Sequence, residues 1–294
     1  MKSLNYCDAE IGKHGFSVDA RVRSTPVDWD AAPATLRFIE EIALGDSMSL
    51  DVAAMAIAAH AYPGLDIDSE IDALDRIASH PILHADGFDA LGLAQYLFAT
   101  GEFVGNTAVY DDPRNSFLND VLSRRLGIPI TLAVVMMEVG RRVGISLVGI
   151  GMPGHFLVRE ARSAEHFFDP FNGGRQLDED DCREHFHAIA GSDAPWHPAF
   201  LNPVGPREII LRMLTNIQQG ALRRRMPEAI WSARLRLLIP GLAAQEIRQS
   251  ADVLGGFGRH IEAARALEDL AAALPDDEAA LIAIEANGWR AQAN

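Results

Sequence analysis

Between Gly127 and Gly174 the chain changes its hydrophobic period, and that change constrains the fold more than any other feature. Ile130 to Val143 is a strongly apolar run of helical length, closed by Gly144. Two glycine-bounded stretches rich in β-formers follow, SLVGIGM (146–152) and HFLVRE (155–160). HFFDPF (166–171) comes back after the polar tip ARSAE, which predicts an antiparallel hairpin. One buried helix set against a small sheet is the expected centre of the chain, and the fold class is α+β.

The flanks are helical. From Asp28 to Thr100, Leu36, Ile39 and Ala43 fall at helical spacing before the break at Gly45-Asp46. Ser49 opens a second run that Pro63-Gly64 closes, Asp66–Ala78 repeats the pattern, and GFDALGLAQYLFATGEF gives a fourth helix after His80-Pro81. GNTAVYDDPRNSFLND (105–120) reads as a loop in which Asn115 or Ser116 caps a short helix ending near Gly127. From Pro206 the helical period returns. Pro240 and Pro275 stand 35 residues apart (275 − 240 = 35), close to the ~34-residue period of tetratricopeptide helix pairs. Ala251 and Ala263 supply small residues where paired helices approach, and Gly258 sits at a turn. The expected organisation is an arm at 1–26, a domain at 27–205 (helical part 27–100, core 101–205) and a helical tail at 206–294.

With 294 residues, 48% of them hydrophobic, the chain can bury the core of one large or two modest domains. A net charge of −15 disfavours nucleic acid and anionic membranes as partners. Arg223-Arg224-Arg225 runs against that charge and reads as a helix end. There is no apolar run of membrane-spanning length, and the N-terminus lacks the apolar run of a secretory signal. Two cysteines, Cys7 and Cys182, do not make a disulfide framework, so a cytoplasmic location is expected.

His155 and Asp169 are the residues that carry chemistry. They stand 14 apart across the expected hairpin, so a hydrogen bond from imidazole to carboxylate is feasible. Such a carboxylate fixes the tautomer of a general base; the alternative is a core histidine beside a turn at Asp169-Pro170. A thiol partner would stand at the N-terminus of the buried helix, where the dipole lowers its pKa. That position holds Pro129, well suited to the first turn of a helix and unable to attack a carbonyl. Asn115, Asn119 and Thr131 are further candidates for lining a cleft, although Thr131 is turned about 200° from Pro129. In DDCREHFH, Cys182 and His185 share a helical face, whereas His187 lies about 140° from Cys182, so no metal site is expected there. Cys182 is either a displaced nucleophile or an ordinary buried thiol. The turns GMPG (151–154) and NGG (172–174) form no phosphate loop, and no cofactor is expected.

These residues resemble the transglutaminase-like superfamily, whose core is a papain-type Cys–His–Asp arrangement. Gly127-Ile128-Pro129, Ala133, and Gly144-Ile145 fifteen residues after Pro129 follow that family's helix motif, with Pro129 where its cysteine stands. His155 and Asp169 match the family's histidine and aspartate. The stretches NSFLNDVLSRRLGIPITLAVVMMEVGRRVGI, GMPGHFLVR and FFDPFNGG are similar to a bacterial SirB-type branch, over roughly residues 30–280. That branch joins a helical stretch, a transglutaminase-like core and a tetratricopeptide-like tail, and lacks the cysteine. The resemblance implies a cysteine-less protein that binds a peptide or protein partner. The competing expectations are a hydrolase or amidase using His155–Asp169 with water or with Cys182, and a purely structural domain.

Overall fold

The computed structural model describes residues 32–163 and 165–293, so the expected arm at 1–26, with Cys7, lies outside the described residues. Two compact units divide at 220/221, one spanning 33–220 and the other containing 221–293. The sequence places the boundary at 205/206, where a helix begins; the units divide inside that helix.

In the larger unit, helices α1 (Pro33–Ala43), α2 (Leu50–Ala61), α3 (Ile67–Ala78) and α4 (Ala90–Ala94) come first, the last running into a π turn at Gln95–Ala99. Asp66 and Asp89 cap α3 and α4, their carboxylates accepting from Ser69 N and Gly92 N. The stripe on α1 differs from expectation. Leu36 and Ile39 are exposed, while Phe38 and Ile42, one turn apart, are buried. The larger payload, a phenylalanine paired with an isoleucine, takes the core.

Next come β1 (Val104–Gly105), α5 (Leu118–Arg124), β2 (Leu126–Gly127) and α6 (Pro129–Arg142). β1 and β2 form a two-residue parallel pair. α6 is apolar on nearly every side: Ile130, Leu132, Ala133, Val134, Val135, Met136 and Val139 are all buried. It packs against α3, β3 (Leu147–Ile150) and β4 (Leu157–Glu160), as a buried helix beside a small sheet requires.

The sheet continues with β5 (Phe167–Asp169) and β6 (Arg175–Leu177). Helix α7 (Glu179–Ala190), strand β7 (Pro203–Val204) and helix α8 (Pro206–Arg224) follow. The strand order is β6-β5-β4-β3-β7, antiparallel throughout, with Ile150 opposite Leu157 and Val158 opposite Phe168. Ile150, Leu157, Phe167 and Leu177 pack with Cys182 and Phe186 of α7 in one buried cluster. α7 therefore covers the face of the hairpin on which alternation also places Asp169.

The second unit holds α9 (Glu228–Leu237), α10 (Ala244–Gly256), α11 (His260–Ala272) and α12 (Asp276–Gln292), each packed on the next. Ala233, Ala251, Leu254, Ala263, Leu267, Leu270, Ile282 and Ala286 make its core. Among the described residues, no helix is long and apolar enough to cross a membrane.

Candidate functional site

His155 stands two residues before β4 and Asp169 ends β5, so the hairpin register brings them together. His155 Nε2 and Asp169 Oδ1 are 2.9 Å apart, and both residues are buried. The geometry expected from the 14-residue separation is therefore present. Asp169 is also a local cap: its Oδ1 accepts from the backbone N–H of Phe171 (3.1 Å) and Asn172 (3.2 Å), and its Oδ2 from Asn172 Nδ2 (2.7 Å). Burial alone would raise the carboxyl's pKa, but the His155 hydrogen bond and charge, with the Asn172 donors, outweigh it and hold it below the usual carboxylate value. Asp169 stays ionised and aims one oxygen at the imidazole. With Nε2 engaged, Nδ1 is the ring nitrogen available to any other group.

Two glycines let neighbouring chain approach this turn. Gly174, at φ +70°, hydrogen-bonds its N–H to Asp169 O at 2.8 Å; a Cβ there would lie 2.6 Å from Ala94 O. A Cβ on Gly105 would lie 2.4 Å from Phe171 O. The Phe171 ring then sits edge-on to both His155 (6.2 Å between centroids) and Tyr110 (5.8 Å). Since Gly105 pairs with Gly127, two residues before Pro129, the N-terminus of α6 is tied to the same neighbourhood.

Pro129 is the first residue of α6 and is buried. Thr131, expected as a cleft candidate, is instead a fastener inside the protein. Its hydroxyl donates to Asn115 O at 2.8 Å and accepts from Ile128 N at 3.1 Å, meeting a backbone donor that the helix start leaves unpaired. Asn115 is likewise turned inward and fully buried. Its Nδ2 donates to Val109 O (2.9 Å) and Tyr110 O (3.0 Å), and its Oδ1 accepts from Asn106 Nδ2 (3.0 Å). It does not cap α5, whose N-cap is Phe117; it folds the 106–115 loop, because a buried amide must satisfy its own donors first. Asn119 lies half-buried on α5, its Oδ1 without a hydrogen-bond partner.

Cys182 has no exposure, and burial, followed by the charges of Asp181 and Asp178, pushes its thiol up to about 12. Three other contributors to the site carry no strong signal in the sequence. Arg212 of α8 donates to the carbonyls of His155 (2.7 Å) and Met152 (2.9 Å), pinning the loop that carries the imidazole. Asn172, read from the sequence only as part of a turn, grips the carboxylate. His185 brings its ring to 4.4 Å, centroid to centroid, from that of His155.

The profile of the Transglutaminase-like superfamily matches residues 66–215, which include every residue of this site. A UPF0162 protein of Xylella fastidiosa (strain Temecula1) is 40% identical over 187 residues, covering 58% of this chain and 64% of that protein. A UPF0162 protein of Pseudomonas aeruginosa is 42% identical over 107 residues, 36% of this chain and 39% of that protein. F-box only protein 21 of Homo sapiens is 28% identical over 125 residues, 40% of this chain and 19% of its own length. The chain thus spans less than two thirds of the Xylella relative's length. No solved structure matches the chain.

Proposed function

We propose that this chain, which belongs to the transglutaminase-like superfamily, is a SirB-type member that keeps the superfamily's site as a cleft for a peptide or protein partner, without thiol catalysis. One observation carries the reading: α6 opens on Pro129, which has no nucleophilic atom, beside a neighbourhood in which His155 and Asp169 remain hydrogen-bonded at 2.9 Å. Cys182 is no substitute. Burial pushes its thiol up to about 12, and the side chain lies in the buried cluster that holds Phe167 and Phe186. The recurrence of the core as a minor stretch of F-box only protein 21, a much longer chain, fits a module used within larger assemblies. The stacked helices of 228–292, taken as tetratricopeptide-like, would add a second surface suited to protein contact.

The test uses the full chain in two arms. With iodoacetamide at neutral pH, and separately with a glutamine-containing peptide, no adduct on Cys182 and no ammonia release are expected; rapid, His155-dependent adduct formation would overturn the reading. Peptides selected by display and measured individually should bind to the wild type and weaken about tenfold in a folded His155→Gln variant. Binders indifferent to that change would place recognition elsewhere, and the cleft reading would fall.

A further inference from the structure

α7 lies across the hairpin and turns His185 toward the pair already described. One ligand-capable atom from each of His155, Asp169 and His185 falls within 4.8 Å of the others. The Nε2 of His185 is buried and has no hydrogen-bond partner, in a site where every donor to Asp169 is otherwise accounted for. His155 Nε2 and Asp169 Oδ1, hydrogen-bonded at 2.9 Å, would part to about 3.4 Å around an ion held tetrahedrally by bonds of about 2.1 Å, the ion displacing the proton they share.

We propose that His155, His185 and Asp169 form a site for a single divalent transition-metal ion of the Zn²⁺ type, with a fourth position left for water or a partner's donor group. The donor set selects the class. Two imidazoles and one carboxylate suit Zn²⁺ and its first-row neighbours, whereas Mg²⁺ and Ca²⁺ demand oxygen ligands. Neutral imidazole is the ligating form. The surroundings are those of a supported ligand: Asn172 holds the carboxylate from behind, and Arg212 holds the backbone of His155. The proposed site is not the Cys182–His185–His187 cluster weighed in the sequence, because here His185 joins residues of the hairpin. The inference goes beyond partner binding and does not depend on it.

The experiment titrates the chelator-treated full chain with Zn²⁺ alone by calorimetry and with Co²⁺ by absorption. One ion per chain is expected, with visible Co²⁺ bands and none of the intense near-ultraviolet absorption of a thiolate ligand. Affinity for Zn²⁺ should fall at least about tenfold in His185→Ala and in Asp169→Asn, and stay unchanged in His187→Ala on the same helix. Far-ultraviolet circular dichroism checks that each variant folds, and His185→Gln replaces an alanine variant that does not. A wild type that takes up no ion, a thiolate band, or a His185 variant that binds like the wild type would each overturn the site. Repeating the peptide measurement in chelator separates this outcome from failure of the partner reading.

Discussion

Asp169 does two jobs with one carboxylate. It orients His155 and caps the turn at Pro170–Asn172, so four donors converge on two buried oxygens. Its folded pKa lies below the ordinary 3.8. A depressed carboxyl contributes stability that is fully present above the unfolded value and is lost as pH falls through the folded one. Urea unfolding should therefore show wild-type stability falling below about pH 4, with Asp169→Asn costing about 1–3 kcal/mol at pH 7 and less at pH 3. A variant whose deficit is the same at both pH values would show that the carboxylate's charge is not what the site uses. This pair was legible because a hairpin has a fixed period, so 14 residues of separation bring both side chains to one face. His185 and Arg212 were not. They reach the site from α7 and α8, and which way a helix turns its faces depends on packing that no local pattern encodes.

The helices of 33–100 were legible from their periods and breakers; their contacts were less so. α2 and α6 are both almost wholly buried, and between them lies an ion network whose members look like surface charges in the sequence. Arg142 donates to Asp51 Oδ2 at 2.6 Å, to Asp75 Oδ1 at 2.6 Å and to Glu138 Oε2 at 2.9 Å, while Asp51 is 1% exposed. Burial pushes Asp51 up, but the hydrogen bond and charge of Arg142 outweigh it, so the buried carboxylate stays charged. Removing Arg142 leaves Arg141 as the cation beside two buried acids, Asp51 and Glu138. Arg142→Met should cost about 3–5 kcal/mol, nearer the lower figure because Arg141 still reaches Asp51 at 3.2 Å. Chemical denaturation checks this, and a loss no larger than that from breaking the exposed Arg175–Asp181 pair would contradict it. The same limit explains Thr131 and Asn115. Polar residues beside a helix start invite a cap or a cleft role, but buried ones satisfy themselves inside: Thr131 and the Asn115 amide donate to backbone carbonyls, and the Asn115 oxygen accepts from Asn106.

Among the described residues, helices flanking a small central sheet were legible in the sequence, and the division at 220/221 was not. The sequence ends a domain at 205 because Pro206 opens a helix, yet α8 continues unbroken to Arg224 and offers no composition change at 220/221. In the tail the breakers were better guides. Helix ends fall at Arg224, Leu237 and Gly256, close to the expected helix end at Arg223–Arg225, to Pro240 and to the expected turn at Gly258. Ala251 and Ala263, expected at close approaches, have no exposure, and Gly255 lets the Trp289 ring come within 2.5 Å of where a Cβ would stand. α10 packs on both α9 and α11, and α11 on α12, around one shared core. α9 carries buried Ala229, Ala233 and Leu235, and a buried Arg236 whose charge faces Glu246 of α10 at 4.0 Å. Deleting 242–294 removes α10, α11 and α12 together, Glu246 among them, and leaves that face of α9 uncovered. The truncated protein should bind a hydrophobic dye, melt at lower temperature and aggregate on concentration, as seen by light scattering. A monomer with an unchanged melting temperature would mean that α9 does not need α10 to be buried, and that the tail is not a stack in which each helix depends on the next.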